Sequence, residues 1–278
     1  MASSLPPELP GRLAADIPQH WQPLSDIVAG WHRASGPGLL LGLSGAQGSG
    51  KSTLAALLVH LLRTRHGLHA VAVSLDDFYL TRAGRARLAQ TVHPLFATRG
   101  PPGSHDLGLM QDTLHALRHG RREIAVPRFL KPIDDRAPLG DWPRVQAPVD
   151  VLVLEGWCLG AGPQADADLM RPLNALEAGE DPQCVWRRHV NQCLASDYQP
   201  VWNSLDRLLL LQAPSWPVIC TWRAQAEARL PGGPAMTPPQ LARFMQHYER
   251  TARHLLEAPP PADMAWHLDE ARTIVATG

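Results

Sequence analysis

The eight residues GAQGSGKS at 45–52 hold the densest chemistry in this chain. Their glycines at 45, 48 and 50, with Lys51 and Ser52, match the spacing GxxxxGK[ST] at every fixed position. That spacing suits the phosphates of a nucleoside triphosphate. Glycines let backbone N–H groups wrap closely around phosphate oxygens, and a following helix adds the positive end of its dipole. The expected cradle comprises Gly45, Ala46, Gln47, Gly48, Ser49, Gly50, Lys51, Ser52 and Thr53. Within it Lys51 would reach the β- and γ-phosphates, Ser52 would hold Mg²⁺, and Thr53 would offer a hydroxyl to the α-phosphate.

Two carboxylate sites accompany the cradle. LVLEGW at 152–157 ends an apolar run in Glu155, where a carboxylate can accept hydrogen bonds from Mg²⁺-bound water. SLDDFYLT at 74–81 follows the run HAVAV and sets Asp76 beside Asp77. A phosphoryl acceptor needs a residue that orients its hydroxyl and takes its proton, and Asp76 is the candidate base. In a continuing extended chain Asp77 points the other way and supports the loop. Phe78 and Tyr79 are read as wall or core, with Tyr79 on the acceptor side.

These groups converge only if particular elements position them. GLLLGLS (38–44), HAVAVSL (69–75), DVLVLEG (150–156) and RLLLLQA (207–213) are short, nearly continuous apolar runs, as in strands buried on both faces. MAWHL (264–268) is a further strand, expected at the sheet edge. After Lys51, leucines at 54, 57, 58, 61 and 62 fall on one helical face. Asp106, Ser215 and Thr237 are expected to cap three more helices. In the last of these Leu241, Phe244, Met245, Tyr248 and Leu255 share one side. The alternation predicts an α/β fold, a P-loop NTPase three-layer sandwich with helices on both faces of a parallel sheet. Ligands then gather at the carboxyl ends of the strands. Residues 1–36 read as a short helical prefix, 37–278 as the kinase-type domain, and about 82–149 as an insertion carrying substrate contacts.

Composition narrows the partners. The chain has 278 residues, 45% hydrophobic, and a formal net charge of zero, so no basic field argues for nucleic acid or an anionic membrane. A small molecule is the expected partner. The cysteines at 158, 184, 193 and 220 lack metal or disulfide spacing and read as reduced thiols. The start MASSLPPELPGRL has no continuous apolar stretch, and no run approaches the roughly 18–20 apolar residues of a membrane span. A cytoplasmic protein is expected; its oligomeric state is open, with a monomer compatible. Neither the NKxD motif of GTPases nor the LSGGQ signature of transporter ATPases occurs.

The order SLDDFYLT, TRGPPGSHD (98–106), VPRFLKPIDDR (126–136), PVDVLVLEGWCLG (148–160) and TWRAQAE (221–227) resembles plant-type D-glycerate 3-kinases and related yeast and bacterial P-loop kinases. More distantly it is similar to uridine kinase, phosphoribulokinase and pantothenate kinase. The resemblance implies transfer of the ATP γ-phosphoryl group to the 3-hydroxyl of D-glycerate. It places Arg99, His105, Arg128, Lys131 and Arg136 at the family's basic positions, and Arg223 as a phosphate-clamping lid arginine, with Arg229 a second. The residues agree in class, because arginine suits a carboxylate and the insertion holds few aromatics for a nucleoside. One departure stands out: where relatives read PRFDK, this chain has Leu130 in place of the acid. Two alternatives remain open at this level: a kinase for a nucleoside, pantothenate-like or sugar-phosphate acceptor, and a nucleotide-hydrolysing switch.

Overall fold

The computed structural model describes residues 15–229 and 236–278. The proline-rich start of the expected helical prefix lies outside them. Among the described residues, helix α1 (Gln22–Ser35) precedes β1 (Leu39–Gly45), which runs through the phosphate cradle into α2 (Lys51–His66). β2 (Ala70–Ser74) follows, then helices α3 (Arg82–Thr91) and α4 (Leu107–His119). Short strands β3 (Glu123–Ala125), β4 (Phe129–Leu130), β5 (Asp135–Arg136) and β6 (Arg144–Gln146) lead to β7 (Val151–Gly156). Helix α5 (Val185–Ala195), β8 (Arg207–Gln212), α6 (Trp216–Glu227), α7 (Pro238–Glu257), β9 (Met264–Leu268) and β10 (Ile274–Thr277) follow, with short helical turns at Asp166–Leu169, Ala175–Glu180 and Gln199–Trp202.

The main sheet has the order β10-β9-β8-β1-β7-β2 and is flanked by helices. All its pairings are parallel except β9–β10. MAWHL is therefore not the edge, because the chain turns back and adds β10 outside it. β1 and β7 are buried along their whole length, which is why both read as unbroken apolar runs rather than alternations. Leu39, Leu40, Leu41 and Leu43 are each almost wholly buried, and each contributes about 2 kcal/mol of transfer free energy. Register then fixes the site. Leu43 of β1 and Ser74 of β2 both face Glu155, so three carboxyl ends finish level.

Helix α1 joins the same core through Leu24, Val28 and Ala29, with Trp21 just before it 5.3 Å from Trp266. The caps follow the sequence in part. Asp106 Oδ1 accepts from Leu109 N (3.1 Å) and Gln240 Oε1 from Thr237 N (2.9 Å), whereas Ser215 holds the N-cap position without a side-chain bond. The four cysteines are free thiols. No helix among the described residues is long and apolar enough to cross a membrane.

The segment 82–149 is folded rather than looped. β3 pairs with β6 and β4 with β5, forming two small antiparallel pairs. Arg85 knits α3 to the β4–β5 hairpin. Its buried guanidinium donates to the carbonyls of Leu80 (2.7 Å) and Asp134 (2.8 Å) and to Asp134 Oδ2 (2.6 Å).

Candidate active site

The cradle is built by a strand that ends abruptly and a helix that starts without a side-chain cap. Gly48 (φ +76°) and Gly50 (φ +99°) occupy the left-handed region, which glycine enters without steric cost. A Cβ on Gly48 would lie 2.7 Å from the carbonyl carbon and oxygen of Trp222, so the loop rests directly on α6. Arg272, from the β9–β10 turn, donates Nε–H to the Gly48 carbonyl (2.6 Å) and stacks over Trp222 (5.0 Å).

Below the cradle, Ser52 Oγ donates to Glu155 Oε1 (2.9 Å), and Lys51 Nζ lies 4.0 Å from Oε2. Oε2 is buried and has no hydrogen-bond partner among the described residues. Leaving a buried carboxylate oxygen unpaired is costly unless another group completes it. A serine hydroxyl beside that oxygen is the hard donor set that suits Mg²⁺.

The strand expected to run through Leu75 stops at Ser74, and Leu75–Phe78 forms a 3₁₀ turn. Asp76 is thus on a turn and not at a strand end, and the turn, not strand alternation, parts the two carboxylates. Asp76 accepts from Tyr79 Oη at Oδ1 (2.8 Å) and from Lys131 Nζ at Oδ2 (2.7 Å). Burial raises its carboxyl, but Lys131, Lys51 and these two hydrogen bonds outweigh it and hold the group well below the usual carboxylate range. Asp77 faces the hairpin instead. Its Oδ1 accepts from Phe129 N (3.0 Å) and its Oδ2 from Arg128 Nη1 (3.4 Å), and burial pushes its carboxyl up.

A cleft of about 460 Å³ joins these parts. From the sequence expectations it gathers Gln47, Gly48, Gly50, Lys51, Ser52, Thr53, Asp76, Tyr79, Arg99, Lys131, Glu155, Arg223 and Arg229. Arg99 pairs with Asp134 and lies over the rings of Phe129 (5.6 Å) and Phe244 (6.0 Å). Arg223 pairs with Glu227 (2.5 Å) and also lies over Phe244, 5.7 Å from the ring centre.

Three expected substrate contacts lie off the cleft in this structure. Arg128 points outward, with a 58% exposed side chain on Asp77, because Asp77 pins the hairpin from outside the cleft. Arg136 turns back to the Tyr79 carbonyl (2.9 Å) and Asp106 (3.0 Å). His105 is buried, stacked on Tyr79 (4.6 Å) with Nδ1 2.5 Å from the Tyr198 hydroxyl; burial pushes it down to about 4, so it is not a cation. Among the described residues, none of these three lines the cleft. Gly45 and Ala46 line a neighbouring apolar cavity of about 30 Å³, and Ser49, within the loop, is buried.

Sequence reasoning missed Ser74, Trp157, Phe244, Tyr248 and Arg272, all on the cleft. Phe244 and Tyr248 carry the same helical spacing as core residues, so spacing held no signal for them. Trp157 directly follows the Glu155–Gly156 strand end, and that adjacency was the one available sign.

Residues 40–161 match the phosphoribulokinase / uridine kinase family. The chain is 34% identical over 229 residues to an uncharacterized kinase, mug58, of Schizosaccharomyces pombe, covering 78% of this chain and 80% of that one. It is 34% identical over 223 residues to the chloroplastic D-glycerate 3-kinase of Arabidopsis thaliana, spanning 76% of this chain but 46% of that protein. The D-glycerate 3-kinase structure from Cryptococcus neoformans superposes with a TM-score of 0.77 at 27% identity, over 94% of this chain and 98% of that one. With 34% identity over four fifths of the fission-yeast kinase and the phosphate cradle seated at the end of a central parallel strand, the chain belongs to the P-loop kinase family that includes the D-glycerate 3-kinases.

Proposed function

We propose that this kinase transfers the γ-phosphoryl group of ATP to a hydroxyl of a small hydroxy acid, with D-glycerate, phosphorylated at its 3-hydroxyl, as the acceptor. The observation that carries the reading is the meeting of Asp76, Lys131 and Arg99 in one cleft with the phosphate cradle. A carboxylate to orient a hydroxyl and two cations for an acid are what such an acceptor needs.

Lys51 and Arg223 clamp the transferring phosphate and neutralise charge that grows on its oxygens. Arg223 leaves Glu227 to do so, exchanging one anionic partner for another. Ser52 and Glu155 would hold Mg²⁺, which when bound supplies charge neutralisation at the phosphate oxygens. Asp76 accepts the acceptor hydroxyl's hydrogen bond and takes its proton late. Its depressed basicity suits this, since phosphoryl transfer proceeds through a loose transition state that needs alignment more than strong proton abstraction. Lys131 bonded to Asp76 lies where it can pass to the acid's carboxylate.

A nucleoside acceptor is the second reading, because Tyr79, Trp157, Phe244 and Tyr248 give the cleft an aromatic wall that a count within 82–149 does not reveal. An ADP-release screen over D-glycerate, L-glycerate, pantothenate, uridine and ribulose 5-phosphate separates the readings, with product position read by phosphorus NMR. D-glycerate turnover with 3-phosphoglycerate as product is expected. Turnover of uridine alone would favour the second reading.

A further inference from the structure

Tyr248 has no part in the phosphate machinery, yet the chain is built around it. It stands on α7, buried, with its ring against the cleft. Its hydroxyl donates to the Arg99 carbonyl (3.1 Å), the backbone of the residue whose guanidinium lines the same cleft. Trp157 meets it edge-on (5.1 Å, 69°) and donates its indole N–H to the Gly100 carbonyl (3.2 Å).

Gly100 makes this arrangement possible. Its φ is +124°, and a Cβ there would fall 1.8 Å from the Tyr248 hydroxyl oxygen and 2.1 Å from Cζ. Any other residue at 100 would evict the phenol. Burial first, and the nearby Asp76 charge second, raise the phenol above its ordinary range, so it stays neutral and keeps its proton on Arg99. The wall that results is fixed by a hydrogen bond, an aromatic contact and a glycine. It does not depend on a mobile side chain.

We propose that Tyr248 sets the length of acceptor this enzyme takes: braced by Trp157 and Gly100, its phenol closes the cleft between Asp76 and Arg99, admitting a short hydroxy acid and excluding its longer homologues. The proposal rests on the phosphotransfer reading above. Tyr248 is a specificity-determining residue here, distinct from the groups that carry the transfer.

The test compares wild type, Tyr248→Phe and Tyr248→Leu on D-glycerate, D-erythronate and D-gluconate by ADP release. In wild type, kcat/KM falls as the acid lengthens. Tyr248→Leu raises the erythronate-to-glycerate ratio of kcat/KM by at least about tenfold, the low end of what one carbon is worth in a fitted pocket. Tyr248→Phe keeps the ring but loses its bond to the Arg99 carbonyl, and it moves that ratio less than Tyr248→Leu does. A Tyr248→Leu protein with parental circular dichroism, parental ATP affinity and the wild-type ratio overturns the proposal. Should Tyr248→Leu not fold, Tyr248→Met reads the same ratio. Wild-type inactivity on every one of these acids defeats the acceptor reading alone; the ratio is then read on the acceptor the enzyme does use and its one-carbon homologue, with the same outcomes.

Discussion

Asp76 and His105 touch opposite ends of one short chain of contacts through Tyr79, and both bind a proton less readily than in the unfolded chain, Asp76 because lysines face it and His105 because it is buried. Asp76 is held ionised by Lys131 and Lys51, so its folded acidity exceeds that of the unfolded chain. Its contribution to stability is present above the unfolded value of 3.8 and is lost as pH falls through the lower folded value. Asp76→Asn is expected to bind ATP as wild type does and to lose roughly 10²–10⁴-fold in kcat, the usual worth of a positioned general base. Steady-state turnover with a nucleotide-binding titration checks both halves; a parental kcat would remove Asp76 from the chemistry. His105 shifts stability in the same direction over a higher pH window, and burial is the cause. It is lowered from 6.5 to about 4, so the unfolded chain takes the proton first and stability falls as pH drops between those values. That loss amounts to about 3 kcal/mol. His105→Gln, which cannot titrate, should flatten the acid limb of urea-midpoint against pH, even if its stability at neutral pH is lower.

At the scale of elements, the β4–β5 hairpin carries Lys131 to Asp76 and is pinned from behind by Asp77. The pin and its exposed companion should separate cleanly. Arg128→Ala removes a surface ion pair worth at most about 1 kcal/mol, so the acceptor KM should stay within about fivefold. Asp77→Ala removes a carboxylate that anchors the Phe129 N–H, an interaction of about 1.5–3 kcal/mol, and frees the hairpin. The acceptor KM should then rise at least about tenfold while the ATP KM holds. Equal effects from the two variants would show that the hairpin does not position Lys131. Arg128, expected from the sequence to contact the acceptor, directly precedes β4 and lies exposed on Asp77, while Phe129 takes the buried position.

For the whole molecule, α7 is the member that ties the cleft to the far layer. Its cleft face presents Phe244 and Tyr248, and two residues past Tyr248, Arg250 forms a bidentate pair with buried Glu177 (2.8 and 2.6 Å). Arg250 also caps the carbonyls of Asp168 and Arg171, while Arg187 pairs with Asp181 in the same layer. Breaking a buried pair by removing one partner costs about 3–5 kcal/mol, since the other charge is stranded. Glu177→Ala should lower Tm by on the order of 10 °C. The ATP and acceptor KM values of the protein that remains folded should be unchanged. A KM shift with Tm intact would mean the pair tunes the cleft rather than the fold.

What the sequence determined by itself is whatever chemistry and backbone share one short stretch. GAQGSGKS between an apolar run and a leucine face specifies strand, cradle and helix together, because each glycine, Lys51 and Ser52 acts through its own local backbone. Glu155 was legible for the same reason, at the end of a run whose burial register places it beside Ser52. The carboxylate pair was legible as chemistry but not as geometry, since whether the chain continues as strand or turns at Leu75 depends on what packs around Phe78 and Tyr79. Only the tertiary structure decided which cations face the cleft. Arg99, Lys131 and Arg223 reach it while Arg128, Arg136 and His105 brace it, and nothing in residue type distinguishes the two groups. It also supplied the aromatic wall, because Trp157, Phe244 and Tyr248 meet across long sequence separations and each reads locally as core. Spacing along a chain encodes which face of an element is apolar; which of those apolar faces ends beside a substrate is set by how the elements stack.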